Sequence, residues 1–384
     1  MAKACYIGIN NVAHKVKKNY FGVDGVARKI KKAYIGIGGV ARPWWSGGEL
    51  VYYGTITSLG ATRRYLAAAS NSNYALFGGG GNGITGSSSN YQNDVYAYDK
   101  SLTMTSPSVL STNTNRLAAT STNNYVLFGG GYDGNSYVNS VTAYNATLTK
   151  STPTALSKGR RNLTATHIGV YALFAGGYDG RARSTVVDAY NASLTRTVPT
   201  AMSVGRENLA SGSNNNYALF AGGMTSNIAR TDVVDAYNTS LTRTTTTALS
   251  SKTSGLASTG IGNYVLIAGG DSASATKLNT VYAYNSSLTV TKPAVLSVAR
   301  SYLSATTVEN YALFGGGSES DGGFDKVATV DAYDSSLTRT TPTALSLNRN
   351  YIAATTIGDF ALFGGGSEDY NNEAVSVVDA YIVA

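Results

Sequence analysis

Apolar residues along this chain come in short runs, not in helical stripes. The first clear run, Tyr74-Ala-Leu-Phe, enters a glycine cluster at Gly78, Gly79 and Gly80. It returns as Tyr125-Val-Leu-Phe, Tyr171-Ala-Leu-Phe, Tyr217-Ala-Leu-Phe, Tyr264-Val-Leu-Ile, Tyr311-Ala-Leu-Phe and Phe360-Ala-Leu-Phe, spaced 46 to 51 residues apart and each followed by glycines. After each copy comes a polar loop and then a second run, of the type Val187-Asp-Ala-Tyr or Val330-Asp-Ala-Tyr. A Thr-rich alternating stretch such as Leu194-Thr-Arg-Thr-Val-Pro-Thr follows, and a short segment such as Arg206-Glu-Asn-Leu-Ala-Ser leads back to the next copy. All four segments are strand-length, rich in β-branched or aromatic residues, and alternate with period two. Four antiparallel strands in about 47 residues is the size of one propeller blade. In chain order these are strands A (Leu-Ala-Ala), B (Tyr-Ala-Leu-Phe), C (Val-Asp-Ala-Tyr) and D (the Thr-rich run).

Seven copies predict an all-β, seven-bladed β-propeller over residues 49–384. The seventh strand C, at Val378, has no D run behind it, whereas Val51-Tyr-Tyr-Gly-Thr-Ile-Thr-Ser58 is a Thr-rich run without a blade. Pairing of the two would complete the seventh blade and remove an open sheet edge. Strands of alternating direction put the D–A and B–C connections on one face of the ring and the A–B and C–D turns on the other.

Residues 1–42 follow another rhythm. Tyr6-Ile-Gly-Ile-Asn-Asn-Val-Ala-His, Tyr20-Phe-Gly-Val-Asp-Gly-Val-Ala-Arg and Tyr34-Ile-Gly-Ile-Gly-Gly-Val-Ala-Arg repeat every 14 residues. Asn10-Asn11, Asp24-Gly25 and Gly38-Gly39 suit two-residue hairpin turns. Each repeat is therefore a small hairpin, and Pro43–Gly48 reads as the linker to the ring. A lone hairpin is marginal in water, so this module needs a partner or another copy. Tyr6, Tyr20, Tyr34, Trp44 and Trp45 are its candidate assembly residues.

The net charge of +8 sits in this module. Residues 1–48 carry nine Lys/Arg against one acid, Asp24, and the remainder is balanced. The lysine pairs alone would suit nucleic acid or an anionic membrane. Regular apolar faces and Trp44-Trp45 favour protein assembly instead, with neither nucleic acid nor membrane insertion as partner. The single cysteine, Cys5, excludes an internal disulfide, and no export signal or membrane-spanning run is visible at the start.

Two resemblances follow from these motifs. The Gly-Gly after strand B, the Tyr ending strand C and the Arg before strand A make residues 49–384 similar to Kelch-repeat propellers. Kelch ligands dock on the B–C loop face, near the centre. The 14-residue basic repeats resemble those at the start of tail-associated structural proteins of Gram-positive phages and prophages. That likeness implies a virion location, other tail or baseplate proteins as partners, and a homo-oligomer, with a trimer suggested by tail symmetry.

Catalytic chemistry finds little support. Gly78–Gly83 matches G-x-G-x-x-G, but no helix opens behind it to supply phosphate-binding N–H groups. His14, His167 and Cys5 have no metal-ligand spacing, so no metal or cofactor is expected. Asn145, Asn191, Asn238 and Asn285 form Asn-x-Ser/Thr sequons, yet Asp99 and Asp334 fill the same position, which points to C–D turn caps. Acidic clusters near Glu319 and Glu368 suit calcium or, more simply, solvated loops.

The loop face receives Arg63, Arg160, Arg206, Arg300 and Arg349, one per blade, with Thr114 and Thr253 in the other two. These arginines read either as a ring for carboxylates or phosphates or as structural pegs within the blades. Tyr91, Tyr132, Tyr137 and Tyr178 in the B–C loops add aromatic platforms suited to sugars. The functional expectation is a non-enzymatic tail or baseplate component that binds a host surface glycan or anionic wall polymer. A bacterial Kelch-type scaffold is the alternative, with a glycan-cleaving enzyme behind it.

Overall fold

The computed structural model describes residues 48–82, 91–320, 325–368 and 373–383 in full, and within residues 1–47 the backbone of six strands. Those six strands form three separate two-stranded antiparallel sheets. Tyr6–Ile9 pairs with Val12–Lys15, Asn19–Val23 with Val26–Ile30, and Ala33–Ile37 with Val40–Trp45. The expected turns at 10–11, 24–25 and 38–39 lie outside the described residues, as do the side chains of Tyr6, Tyr20, Tyr34, Trp44 and Trp45. The linker expected at 43–48 starts later than its sequence suggests, because the third hairpin pairs through Trp45 with a register shift at Ala33/Tyr34. Aromatic residues suit a strand, and an irregularity accommodates Pro43, which has no N–H for the ladder.

The described residues between 48 and 383 form a seven-bladed β-propeller. Each blade is a four-stranded antiparallel sheet in the order A-B-C-D. The A strands are Ala67–Ser70, Ala118–Ser121, Thr164–Ile168, Ala210–Ser213, Ala257–Ile261, Ser304–Val308 and Ala353–Ile357. They touch one another in cyclic order around the axis, and the seventh touches the first. The seventh sheet contains Ala353–Ile357, Phe360–Gly364, Val378–Val383 and, as its outer strand, Leu50–Ile56 from the other end of the propeller sequence.

Outer strands elsewhere are shorter than the Thr-rich runs suggest. In five blades strand D spans two residues, and a proline follows at Pro107, Pro153, Pro199, Pro293 or Pro342. Proline cannot donate to the ladder, so pairing stops before it. Blade 4 has Thr in that stretch and keeps a three-residue strand, Arg243–Thr245.

Two repeated contacts fasten blade to blade. Strand B ends in a glycine pair with left-handed φ in every blade, from Gly79 and Gly80 to Gly365 and Gly366. The second glycine donates its N–H to the carbonyl of the next blade's Arg or Thr, as in Gly177 to Arg206 (2.9 Å) and, across the closure, Gly366 to Arg63 (2.7 Å). A Cβ on the first glycine would meet that carbonyl and the next blade's leucine; on Gly176 it would lie 2.6 Å from Arg206 O. Backbone here approaches too closely for a side chain.

The tyrosine of strand C supplies the second contact. Tyr98, Tyr144, Tyr190, Tyr237, Tyr284, Tyr333 and Tyr381 are fully buried. Each donates its hydroxyl to a carbonyl just after the preceding blade's D strand, for example Tyr190 to Thr154 (2.7 Å) and, across the closure, Tyr98 to Thr57 (2.7 Å). In six blades strand B's phenylalanine meets this ring edge-on, with centroids 5.6–6.2 Å apart. Such pairs add roughly 0.5–1.5 kcal/mol beyond the area they bury.

At the C–D turns, Asn145, Asn191, Asn238, Asn285, Asp99 and Asp334 each accept two backbone N–H bonds through one side-chain oxygen. The turn-cap reading of these positions describes their geometry.

Candidate functional site

The five arginines before strand A do not reach the surface. Arg63, Arg160, Arg206, Arg300 and Arg349 are 0% exposed. Four lie against a buried acid of the same blade's strand C: Arg160 on Asp188 (2.8 Å), Arg206 on Asp235 (2.8 Å), Arg300 on Asp331 (2.9 Å), and Arg349 on Asp379. Arg63 uses Asp94 (2.6 Å) and stacks on Tyr96, which stands where the others have Asp. Each guanidinium also donates to a backbone carbonyl of strand B or of the glycine pair, as Arg160 does to Phe174 O (3.1 Å). Burial holds the Arg160, Arg206, Arg300 and Arg349 guanidiniums below their ordinary pKa, against the opposing pull of their aspartates. Of the two readings, the peg describes their position, and these arginines leave the candidate ligand surface.

The axial opening is lined instead by the residue two positions further on. Tyr65, Arg116, Asn162, Asn208, Gly255, Tyr302 and Tyr351 occupy this place in blades 1 to 7, all with φ between 51° and 66°. Their backbones form a girdle around the axis. The N–H of Arg116 donates to Tyr65 O (3.0 Å), that of Asn162 to Arg116 O (3.0 Å), and that of Asn208 to Asn162 O (3.1 Å). The series runs on through Gly255 (3.1 Å), Tyr302 (2.8 Å) and Tyr351 (3.3 Å). Across the remaining junction the rings of Tyr351 and Tyr65 meet, with centroids 4.2 Å apart.

This girdle is the wall of a cup of about 220 Å³ centred on the ring. Its floor comes from the next residue of each blade, six of them leucine from Leu66 to Leu303, with Ile352 completing the ring. Those aliphatic side chains are the ones the glycine pairs make room for. One side of the wall is aromatic: Tyr351 lies between Tyr65 and Tyr302 (4.9 Å). Burial, with the neighbouring Asp271, pushes the Tyr302 hydroxyl up to about 12, and Tyr351 is pushed up by burial and by its phenol neighbours. Both remain neutral donors near pH 7. The other side presents Arg116, over the Tyr65 ring at 4.9 Å, and the amides of Asn162 and Asn208.

Left-handed φ is inexpensive for Gly and tolerable for Asn, but strains Tyr and Arg. Asn162, Asn208 and Gly255 fit the backbone's demand. Tyr65, Arg116, Tyr302 and Tyr351 do so at a cost of roughly 1–2 kcal/mol each, in the one place where their side chains line the cup. Strain retained at a cavity points to use of the side chain.

Beside the cup the expected tyrosines do gather. Tyr91, Tyr132, Tyr137 and Tyr178 form a continuous series, with successive centroids 6.0, 5.2 and 5.6 Å apart. Arg161 lies 5.4–5.6 Å from the rings of Tyr132, Tyr137 and Tyr178. Tyr91 is only 8% exposed and serves as a wedge behind Tyr132; the other three are half-buried. The B–C loops that carry them are less irregular than their sequences, since each folds back as a hairpin bridge such as Tyr132 with Tyr137 or Tyr178 with Arg183.

On the opposite face a channel of about 440 Å³ is lined by Ala, Ser, Thr and Gly of the A strands, with the exposed His167 at its wall. Among the described residues no group of His, Cys, Asp and Glu could hold a metal ion, and no helix is long and apolar enough to cross a membrane. The stretches 321–324 and 369–372 of the acidic loops lie outside the described residues.

No protein-family model matches the sequence, and no curated protein matches it. Solved structures do. One titled "Structure of YjhT", itself a β-propeller, aligns with a TM-score of 0.57 at 14% identity, covering 75% of this chain and 99% of that one. The likeness is to the fold alone.

Proposed function

We propose that this chain is a non-enzymatic component of a phage tail or baseplate. In this reading its propeller binds a glycan or anionic polymer of the host cell surface, and its N-terminal hairpins anchor or oligomerise it. The observation that carries the binding half is the axial cup. Phenol rings, amides and one guanidinium converge on a cavity whose walls accept backbone strain to present them. Aromatic faces stack on the apolar faces of sugar rings while the amides and guanidinium bond to hydroxyls and anions. Hydrolysis of a glycan would call for two carboxylates flanking the scissile bond; the described lining of the cup consists of Tyr, Arg, Asn, Gly, Leu and Ile. The tail assignment rests on the likeness of the three basic 14-residue repeats to those of phage tail proteins.

The test is retention of the full chain on intact cells and wall fractions of candidate Gram-positive hosts. Tyr302→Asn and Tyr351→Asn suit the left-handed backbone and are expected to fold yet lose retention by about tenfold, or 1.4 kcal/mol. Retention of both variants at the wild-type level would overturn the cup as the binding site. Release of soluble sugar during incubation would overturn the non-enzymatic reading.

A further inference from the structure

The cup is not alone on its face, and its neighbour constrains the shape and charge of what binds. Most cations of this face are already matched to acids. The five buried arginines have their aspartates; Arg183 pairs with Glu207 (3.0 Å), and Arg230 and Lys158 pair with Asp271 and Asp179. Arg116 and Arg161 differ. Each packs on tyrosine rings, and among the described residues neither has a carboxylate partner. The Nε of Arg161 is enclosed without any hydrogen-bond acceptor. Two acids of this face that carry no buried arginine are occupied. Glu207 accepts from Arg183 and from the Asn162 amide, and Asp133 accepts two turn N–H groups.

The backbones that carry these two unmatched cations are adjacent. Asn162, the residue after Arg161, donates its N–H to the Arg116 carbonyl at 3.0 Å. From that junction Arg116 belongs to the cup, whereas Arg161 belongs to the tyrosine cluster of blades 2 and 3. Like charges held near each other without counter-ions raise the local potential and favour an anion. Guanidinium groups present paired donors that match carboxylate or phosphate oxygens.

We infer that the two positions are consecutive subsites for one linear polymer carrying an anionic group on every repeat unit. A terminal unit occupies the cup, with its anion on Arg116. The next unit lies over Tyr137 and Tyr178, with its anion on Arg161. The cup, at about 220 Å³, is below the roughly 300–1,000 Å³ of a drug-sized pocket, which suits one unit there and the rest of the chain outside. This inference rests on the binding reading above and narrows it to a polyanion bound through its end.

The experiment uses the full chain and calorimetric titration with size-defined oligogalacturonates of one, two and four units. Matched oligomers of glycerol phosphate form a second arm, to separate a carboxylate from a phosphodiester source, and methyl-esterified oligogalacturonates are the neutral control. Affinity is expected to rise about tenfold or more from one unit to two in at least one anionic arm, change little from two to four, and weaken steeply with salt. Arg161→Gln should remove the gain from the second unit while leaving the single unit unaffected. Arg116→Asn, which places in blade 2 the residue that blades 3 and 4 carry, should weaken both. Equal affinity for one and two units, wild-type binding of the dimer by Arg161→Gln, or equally tight binding of the neutral oligomer would overturn the proposal. Capture of host cells without binding of either polyanion would refute it and leave the surface-binding reading standing; loss of both would refute both.

Discussion

Arg160 and Asp188 test whether the buried pairs hold the blades together or merely replace one way of filling them. Both side chains are 0% exposed and 2.8 Å apart. At an effective dielectric constant of about 20 their gross attraction is ~6 kcal/mol, and removal of two ions from water costs several kcal/mol each. The downward push on the Arg160 pKa, in which burial outweighs Asp188, agrees with a pair whose net worth is small. Loss of one partner is another matter. Asp188→Thr leaves a buried guanidinium whose remaining bond is to Phe174 O, and Arg160→Thr leaves a buried carboxylate with Arg196 at 3.7 Å and the Ser157 N–H at 3.0 Å. Each single change should cost about 3–5 kcal/mol. The double change reproduces what blade 2 already has, Thr114 with Thr142, and should cost only ~1–3 kcal/mol, the scale of a core volume change. Urea unfolding of the four proteins gives the coupling directly. Additive losses, with the double variant near the sum of the singles, would refute the view that the pair is interchangeable with hydroxyls.

Four other outcomes follow from the same geometry. Deletion of Leu50–Ile56 removes the outer strand of the seventh blade and should lower the thermal midpoint sharply, as a calorimetric scan will register; an unchanged midpoint would dismiss the shared blade. Gly176→Ala meets both a left-handed φ of +70° and the Arg206 carbonyl at 2.6 Å, so a loss of more than ~2 kcal/mol is expected from denaturant titration. Tyr190→Phe removes the hydroxyl bond to Thr154 O and should cost about 1 kcal/mol; stability equal to wild type in urea would refute the clasp. Burial raises the pKa of all seven strand-C tyrosines, and of Tyr302 to about 12. Their contribution is complete below the unfolded tyrosine value of ~10 and is lost as pH rises beyond it. The urea midpoint should therefore fall between about pH 9 and pH 11; a flat profile would contradict that burial.

The ring was legible because its information is local and repeated. Tyr-Ala-Leu-Phe-Gly-Gly specifies a strand and the close approach behind it, and seven copies leave little choice of architecture. Depth was not legible. Arg160 and Arg206 look like surface cations until strand C supplies their acids 28 and 29 residues later. A signal for this was present nonetheless. The blades with Arg160, Arg206, Arg300 and Arg349 read Val-Asp-Ala-Tyr, whereas those with Thr114 and Thr253 read Val-Thr-Ala-Tyr and Val-Tyr-Ala-Tyr. In six of the seven blades arginine and aspartate appear and disappear together, as partners do; blade 1 is the exception, where Arg63 faces Tyr96 and takes Asp94 instead.

The cup was missed for a different reason. Its residues lie far apart in the chain and share only a backbone conformation, which a sequence reveals through Asn162, Asn208 and Gly255 and conceals beneath Tyr and Arg. The constant Leu or Ile after that position, beside the unlike residues at the position itself, was the usable clue. Among the tyrosines, Tyr132, Tyr137 and Tyr178 do meet, around an Arg161 that the sequence did not single out.

The girdle has a consequence for how such a protein can change. Six of its seven junctions are main-chain bonds, the seventh is the contact of the Tyr351 and Tyr65 rings, and the blades are fastened by glycines and tyrosines elsewhere. Apart from Tyr65 and Tyr351, the residues at the rim are thus largely free of folding duties. Any of them can be exchanged without renegotiating the core, and Asn or Gly is always a safe intermediate. Recognition on this ring can therefore drift one blade at a time, so that closely similar propellers can come to read different surfaces.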